Sequence, residues 1–379
     1  MLSVVAVQPL QERHINSPGR KPRVGERMTE SPEGRHLRPL TGARMIRPMK
    51  IRAAVMVLAV SFAVQSHASS DAAARGKDLI EQATAKMNIF DLPSFRMNAN
   101  VRIDNFGKPL DGTYSLSWNG PDQWREEIRF SGYSEVQRES EGMLYLKRSS
   151  AFMPYTIFQL HSTLGFGSTG FATSFFNRGP QGHESIKAIH EKKVGGIKSD
   201  CVEIQTELKF SREVCIDAKT GVLNRAGQHL LDGDFAAIGE KVFPRSLVSE
   251  RDGKRLVEIH VTELRTGEPF QSSLLFEPPQ PSVSRHGCMN PTPGNKIKDV
   301  APVYPMEDKM SRKQGRVGLY AIVDESGTPQ QFKNVLSASP GLDQSAQDAI
   351  AKWRYSPATC NGSPVAVETV VEVVYELQY

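Results

Sequence analysis

From Phe95 onward the apolar residues of this chain recur at every second position, in one short run after another. Phe95, Met97, Ala99, Val101 and Ile103 alternate with Arg96, Asn98, Asn100 and Arg102. A period of two sends successive side chains to opposite faces of a strand, so one face is buried and the other wetted. Asn105-Phe106-Gly107 reads as a turn, 112–118 as a second strand, Asn119-Gly120-Pro121-Asp122 as a break and 124–131 as a third strand. Further short strands follow at 143–147, 199–208, 212–217, 222–227, 242–250, 256–264 and 273–276, separated by Gly, Asn, Asp and Pro. Consecutive strands with few helices between them predict a large, strongly curved antiparallel sheet, a half-barrel.

A helix precedes this run. Leu79, Ile80, Ala83 and Met87 recur at helical spacing over 72–88, and Pro93 closes the element. Glu277-Pro278-Pro279-Gln280-Pro281 ends the strand-rich region, and 279–295, with Pro291 and Pro293, reads as a Pro-rich linker that reaches about 50 Å when extended. The segment after it has its own pattern. Val317, Leu319, Ala321 and Val323 alternate, Glu325-Ser326-Gly327 turns, and 331–336 is a second strand. Leu342, Ala346, Ala349, Ile350 and Trp353 then form one face of a helix with Pro340 and Asp343 in its first turn and Pro357 beyond its end. A long strand at 365–377 completes a ββαβ order: Val365, Val367, Thr369, Val371, Val373, Tyr375 and Leu377 share one face, and Glu368, Glu372 and Glu376 the other. The fold class is α+β, with domains at 72–278 and 296–379.

The N-terminal region is of a different kind. Residues 1–52 hold 11 Lys and Arg against 4 acids, a net +7 within a chain of +5, so the remainder carries −2. A body with no basic stripe has no counterion-release drive toward nucleic acid. Lys50 and Arg52, the twelve apolar residues 53–64 and the small-x-small site ending at Ala68 make a signal peptide at 45–68, which places the mature chain in the periplasm. An apolar run this short falls below the about 20 residues that a spanning helix needs, but an uncleaved 53–64 helix is the alternative, an inner-membrane anchor. Residues 1–44, rich in Pro, Arg and Gly, read as a disordered extension or a mis-assigned start. The four cysteines, Cys201, Cys215, Cys288 and Cys360, are an even set in an exported chain and read as disulfides; three connectivities remain open.

Several spaced motifs in the last segment agree at once: Tyr304-Pro305, Gly315-Arg316-Val317-Gly318-Leu319, Asp324 with Gly327, Gly341-Leu342-Asp343, Lys352-Trp353-Arg354-Tyr355-Ser356-Pro357-Ala358 and Asn361-Gly362-Ser363-Pro364-Val365. On these the segment at about 290–379 resembles the TonB C-terminal domain family. The resemblance implies a protein ligand, a short extended segment of an outer-membrane transporter that adds to the sheet edge. The strand at 365–377 fits that role, since an edge strand offers unpaired N–H and C=O groups to an incoming chain, and Val367, Thr369, Val371, Val373 and Tyr375 are its candidate binding residues. The three glutamates would then restrain self-pairing. In the middle region, Cys215-Ile216-Asp217, Thr220-Gly221-Val222-Leu223 and Phe243-Pro244-Arg245, behind a helix and among dense strands, resemble the LolA/LolB-like lipoprotein-localisation folds over about 72–278. That resemblance implies a half-barrel whose apolar concave face shelters acyl chains; a cavity filled by the chain's own side chains is the alternative.

Catalytic signatures are missing from the sequence. Gly165-Phe166-Gly167-Ser168-Thr169-Gly170 lacks the Gly-Lys-Ser/Thr ending of a P-loop, and with Phe171, Phe175 and Phe176 it reads as a mobile cover for apolar surface. His161, His229 and His260 stand alone on strand patterns, and Asp111, Asp122, Glu126 and Glu127 read as solvated strand ends. The expectation is a non-catalytic envelope binding protein without cofactor or metal, which engages a protein partner by strand addition, with a role in transmembrane transport. A periplasmic lipid or lipoprotein carrier and an anchored energy transducer are the alternatives. Oligomeric state is not readable.

Overall fold

The computed structural model describes residues 71–377, apart from 106, 165–183, 206–210, 228, 252, 268, 270–276 and 290, and apart from the side chains of 232 and 233. The extension at 1–44, the signal peptide at 45–68, the glycine-rich segment at 165–170 with its three phenylalanines, and the strand expected at 273–276 lie outside the described residues.

Helix α1 (71–87) leads into thirteen strands. In chain order these are β1 (Phe95–Asn105), β2 (Lys108–Trp118), β3 (Gln123–Phe130), β4 (Tyr133–Ser140), β5 (Met143–Arg148), β6 (Ser185–Val194), β7 (Ile197–Gln205), β8 (Ser211–Asp217), β9 (Leu223–Ala226), β10 (His229–Ile238), β11 (Lys241–Arg251), β12 (Lys254–Thr266) and β13 (Val283–His286). All belong to one antiparallel sheet of order β13-β5-β4-β3-β2-β1-β12-β11-β10-β9-β8-β7-β6. Two meanders, β1 to β5 and β6 to β12, thus join along the β1–β12 pair, where Phe95 lies opposite Thr266 and Ile103 opposite Val257. The end strands β13 and β6 do not pair with each other, so the sheet is an open half-barrel and not a closed barrel.

The helix α2 (Tyr155–Leu164), which the alternation did not announce, packs on β1, β11 and β12 and buries Ile157, Phe158, Leu160 and Leu164. Its residues and those of α1 (Ile80, Ala83, Met87) share one core with Phe95, Met97, Leu116, Trp124, Val257 and Ile259. Both helices thus place apolar side chains of the chain itself against the sheet.

The C-terminal part adds α3 (Met306–Met310), β15 (Gly315–Val323), β16 (Pro329–Leu336), α4 (Pro340–Ile350) and β20 (Val367–Tyr375), with short strands β14 (Lys296–Lys298), β17 (Arg354–Tyr355), β18 (Ala358–Cys360) and β19 (Ser363–Val365). Ser339 caps α4 by accepting from the Leu342 N–H, and Pro340 occupies the first turn. The three-stranded sheet has the order β16-β15-β20. One of its faces carries Val317, Leu319, Val323, Val367, Val371, Val373 and Tyr375 against Leu342, Ala346 and Ile350 of α4.

The Pro-rich stretch is not an extended tether. Val283–His286 pairs with β5, Met289 is buried in the half-barrel core, Thr292 bridges Thr359, and Cys288 is bonded to Cys360. Its prolines keep it out of sheet interiors, but the antiparallel edge at β5 and the disulfide give the backbone fixed partners. The second bridge joins Cys201 and Cys215, which lie directly opposite each other on β7 and β8.

Candidate functional site

The face of β20 opposite α4 does not point to water. Tyr320 and Val370 belong to the core of the half-barrel, with Ile322, Val335 and Leu336 packed against it. Glu368 and Glu372, expected on an outer face, are enclosed by cations of the first domain. Arg148 of β5 donates from Nη2 to Glu368 Oε2 at 2.9 Å and from Nε to Glu135 Oε2. Arg285 of β13 stands 3.6 Å from Glu368, and Tyr320 donates its hydroxyl to the same carboxylate at 3.0 Å. Burial works against the Glu368 charge, but Arg148 and Arg285 outweigh it and hold the carboxyl below its usual range. Glu372 accepts from the Tyr155 hydroxyl of α2 at 2.6 Å, with Arg251 at 3.4 Å and Arg316 at 3.5 Å. The period of two that makes one face of β20 apolar thus puts Glu368 and Glu372, with Val370 between them, on the other, where arginines receive both carboxylates. Glu368 and Glu372 serve this junction, and Glu376 is exposed.

Val367, Thr369, Val371, Val373 and Tyr375 are buried on the α4 side. β20 pairs with β15 along its whole length, from Val367 opposite Val323 to Tyr375 opposite Gly315. On its other side no strand among the described residues pairs with it. What remains to be offered there is its row of backbone groups rather than these side chains.

The expected motif residues set turns and clasp strands. Gly327 has φ +81°, and an added Cβ would lie 1.8 Å from the Tyr355 carbonyl oxygen, so only glycine fits. Its carbonyl accepts from the Tyr355 N–H at 3.0 Å. Gly362 has φ +82° in the turn between β18 and β19. Trp353 is buried, donates to the Val300 carbonyl at 2.8 Å and carries the Lys296 ammonium 4.2 Å above its ring. Tyr304 stacks edge-on against Tyr375 at 5.4 Å and donates to the Lys313 carbonyl. Pro305 precedes the first residue of α3, and Pro357 lies between β17 and β18.

Below the junction lies a buried polar group that the sequence reading missed. Glu126 is 1% exposed and Glu135 1%, so Glu126 is not a solvated strand end. His161, 0% exposed, sits on α2 and not on a strand. Tyr114 donates to Glu126 Oε1 at 2.9 Å; Tyr133 and Gln137 donate to Glu135, each at 2.5 Å. The signal was present in the alternation: Glu126 falls in phase with Trp124 and Ile128, and Glu135, Gln137 and Glu139 occupy the inward positions of β4. Charged residues at core-phase positions rarely lie buried without a reason.

Residues 300–377 match the family model described as the Gram-negative bacterial TonB protein C-terminal. Protein TonB of Vibrio cholerae is 33% identical over 113 residues, which cover 27% of this chain and 44% of that protein. Among solved structures, a DUF1329 family protein from Desulfovibrio piger aligns at 16% identity over 54% of this chain and 97% of its own, with a TM-score of 0.34. A LolA superfamily protein from Nitrosomonas europaea aligns at 9% identity over 53% and 97%, with a TM-score of 0.33. A domain described as an outer membrane lipoprotein-sorting protein, from Vibrio parahaemolyticus, aligns at 11% over 54% and 97%, also with 0.33. The chain thus spans less than half the length of the curated relative it matches.

Proposed function

We propose that this chain is an exported envelope protein whose TonB-type domain binds a protein partner by strand addition along the outer edge of β20, as a binding rather than a catalytic component. The observation that supports this reading is the position of β20 at the end of its sheet, with α4 on one face and the half-barrel on the other. A partner then reads the backbone row, with sequence discrimination from residues at the strand ends such as Glu376. The role in transport and the periplasmic site, after cleavage following Ala68, belong to the same proposal. Among the described residues no helix is long and apolar enough to cross a membrane.

Hydrogen exchange on the full chain tests the edge, with and without the proteins it retains from an outer-membrane extract. In the free protein, alternate β20 amides that point away from β15 exchange faster than their neighbours, and bound partner protects them. Capture of a partner with unchanged β20 exchange sinks strand addition there. N-terminal sequencing of the exported protein separates a cleaved chain from one anchored through 53–64.

A further inference from the structure

Three ligand-type side chains from three elements converge: Glu126 of β3, Glu135 of β4 and His161 of α2 each present a donor atom, and these atoms all lie within 4.8 Å of one another. Hydrogen bonding does not account for the arrangement. His161 Nδ1 and Nε2 and Glu126 Oε2 are buried without a hydrogen-bond partner. The nearest carboxylate oxygens stand 3.9 Å from Nδ1 (Glu126) and 3.6 Å from Nε2 (Glu135), beyond hydrogen-bond reach. Buried polar atoms left unpaired call for an ion or a water. Charge points the same way. Glu126 and Glu135 have one arginine between them, and Arg148 is shared with Glu368. With Arg285 on Glu368, three buried carboxylates share two arginines, and the third positive charge is left to a proton on His161 or to a bound cation.

We propose that this pocket of the half-barrel is a binding site for a divalent transition-metal ion, held by Glu126, Glu135 and one ring nitrogen of His161. One imidazole with two carboxylates suits ions of the zinc class. Ligands about 2.0–2.2 Å from a common ion stand about 3–4 Å apart, so a modest inward shift of the side chains closes the site. Tyr114 on Glu126, and Tyr133, Gln137 and Arg148 on Glu135, already orient the carboxylates as outer partners do at metal centres. All four cysteines are in disulfides, so thiolates do not compete. The ion would fasten α2 to β3 and β4 beside the place where Arg148 grips both Glu135 and, on β20, Glu368.

The test uses the full chain with its disulfides intact, stripped with a chelator and titrated with Zn²⁺ alone. The expected result is one ion retained per chain through gel filtration, with proton release on binding seen as a buffer-dependent heat, because the imidazole must be deprotonated to ligate. Glu126→Gln keeps the acceptor for Tyr114 and should weaken binding at least tenfold; His161→Ala should abolish it. Absence of a stoichiometric ion from folded wild-type protein overturns the proposal, and a proton on His161 is then the missing charge. Equal retention by folded Glu126→Gln overturns it too, as binding elsewhere.

Discussion

Both sheets bury carboxylates, but they neutralise them differently. Glu368 and Glu372 of the small sheet each meet arginines from the half-barrel. On the large sheet, Glu126 and Glu139 are met by neutral donors, the Tyr114 hydroxyl for one, the Trp124 indole and the Met289 N–H for the other. Burial accordingly pushes Glu139 up to about 7 and Glu126 above its usual value. Charge on the small sheet is there to dock it; charge on the large sheet lies inside with too little counter-charge. Arg148 is where the two schemes meet, since it serves Glu135 and Glu368 together.

The largest effect should come from cutting that link. Arg148→Met leaves two buried carboxylates without their main partner and should cost about 3–5 kcal/mol in denaturant unfolding. A loss under about 1 kcal/mol would show that the domains do not depend on this junction. The disulfides sharpen the contrast between long-range and local ties. Cys288–Cys360 closes a separation of 72 residues and Cys201–Cys215 one of 14. In the chain-entropy picture their removal by Cys→Ser pairs costs about 4 and about 3 kcal/mol, and the first should also loosen the C-terminal domain in limited proteolysis. A larger loss from the hairpin bridge would reverse that ranking.

Smaller effects follow at the glycines. Gly327→Ala should destabilise by about 3 kcal/mol, because a left-handed backbone and a collision with the Tyr355 carbonyl add up. Gly362→Ala, left-handed but in open space, should cost only about 1 kcal/mol. A further effect lies in the pH dependence of stability. Glu139 titrates about 7 in the folded chain against an ordinary 4.5, so the folded state holds its proton more tightly. That contribution is fully present below 4.5 and is lost as pH rises through 7. Glu139→Gln should flatten the fall in Tm between pH 5 and pH 8; an unchanged slope assigns the fall to other groups.

The alternation of Phe95 to Ile103 was enough to foresee β1 and its buried face, and the 4-3-1-3 spacing of Leu342 to Trp353 was enough to foresee α4, because both patterns are local and repeat with the period of the backbone. The helix at Tyr155–Leu164 was hidden. It is buried on most sides, its polar stripe narrows to Thr156, Gln159 and Ser162, and its His161 was read onto a strand. Glu126 was misread for a related cause: proximity to a turn suggested solvent, while its phase with Trp124 and Ile128 pointed inward. Proline content suggested a tether at 279–295, yet a strand edge and a cysteine elsewhere in the chain decide that region's course.

The sequence by itself determined the strand-rich first domain, the ββαβ order of the second, and the two faces of its last strand, since side-chain direction follows from period alone. Only the tertiary structure decided what each face meets. Val367, Val371 and Val373 of β20 face α4, while Glu368 and Glu372 face Arg148, Arg285 and Arg251, partners up to 220 residues away in the chain. Contacts between residues so far apart follow from how the two sheets pack, and no local pattern encodes that.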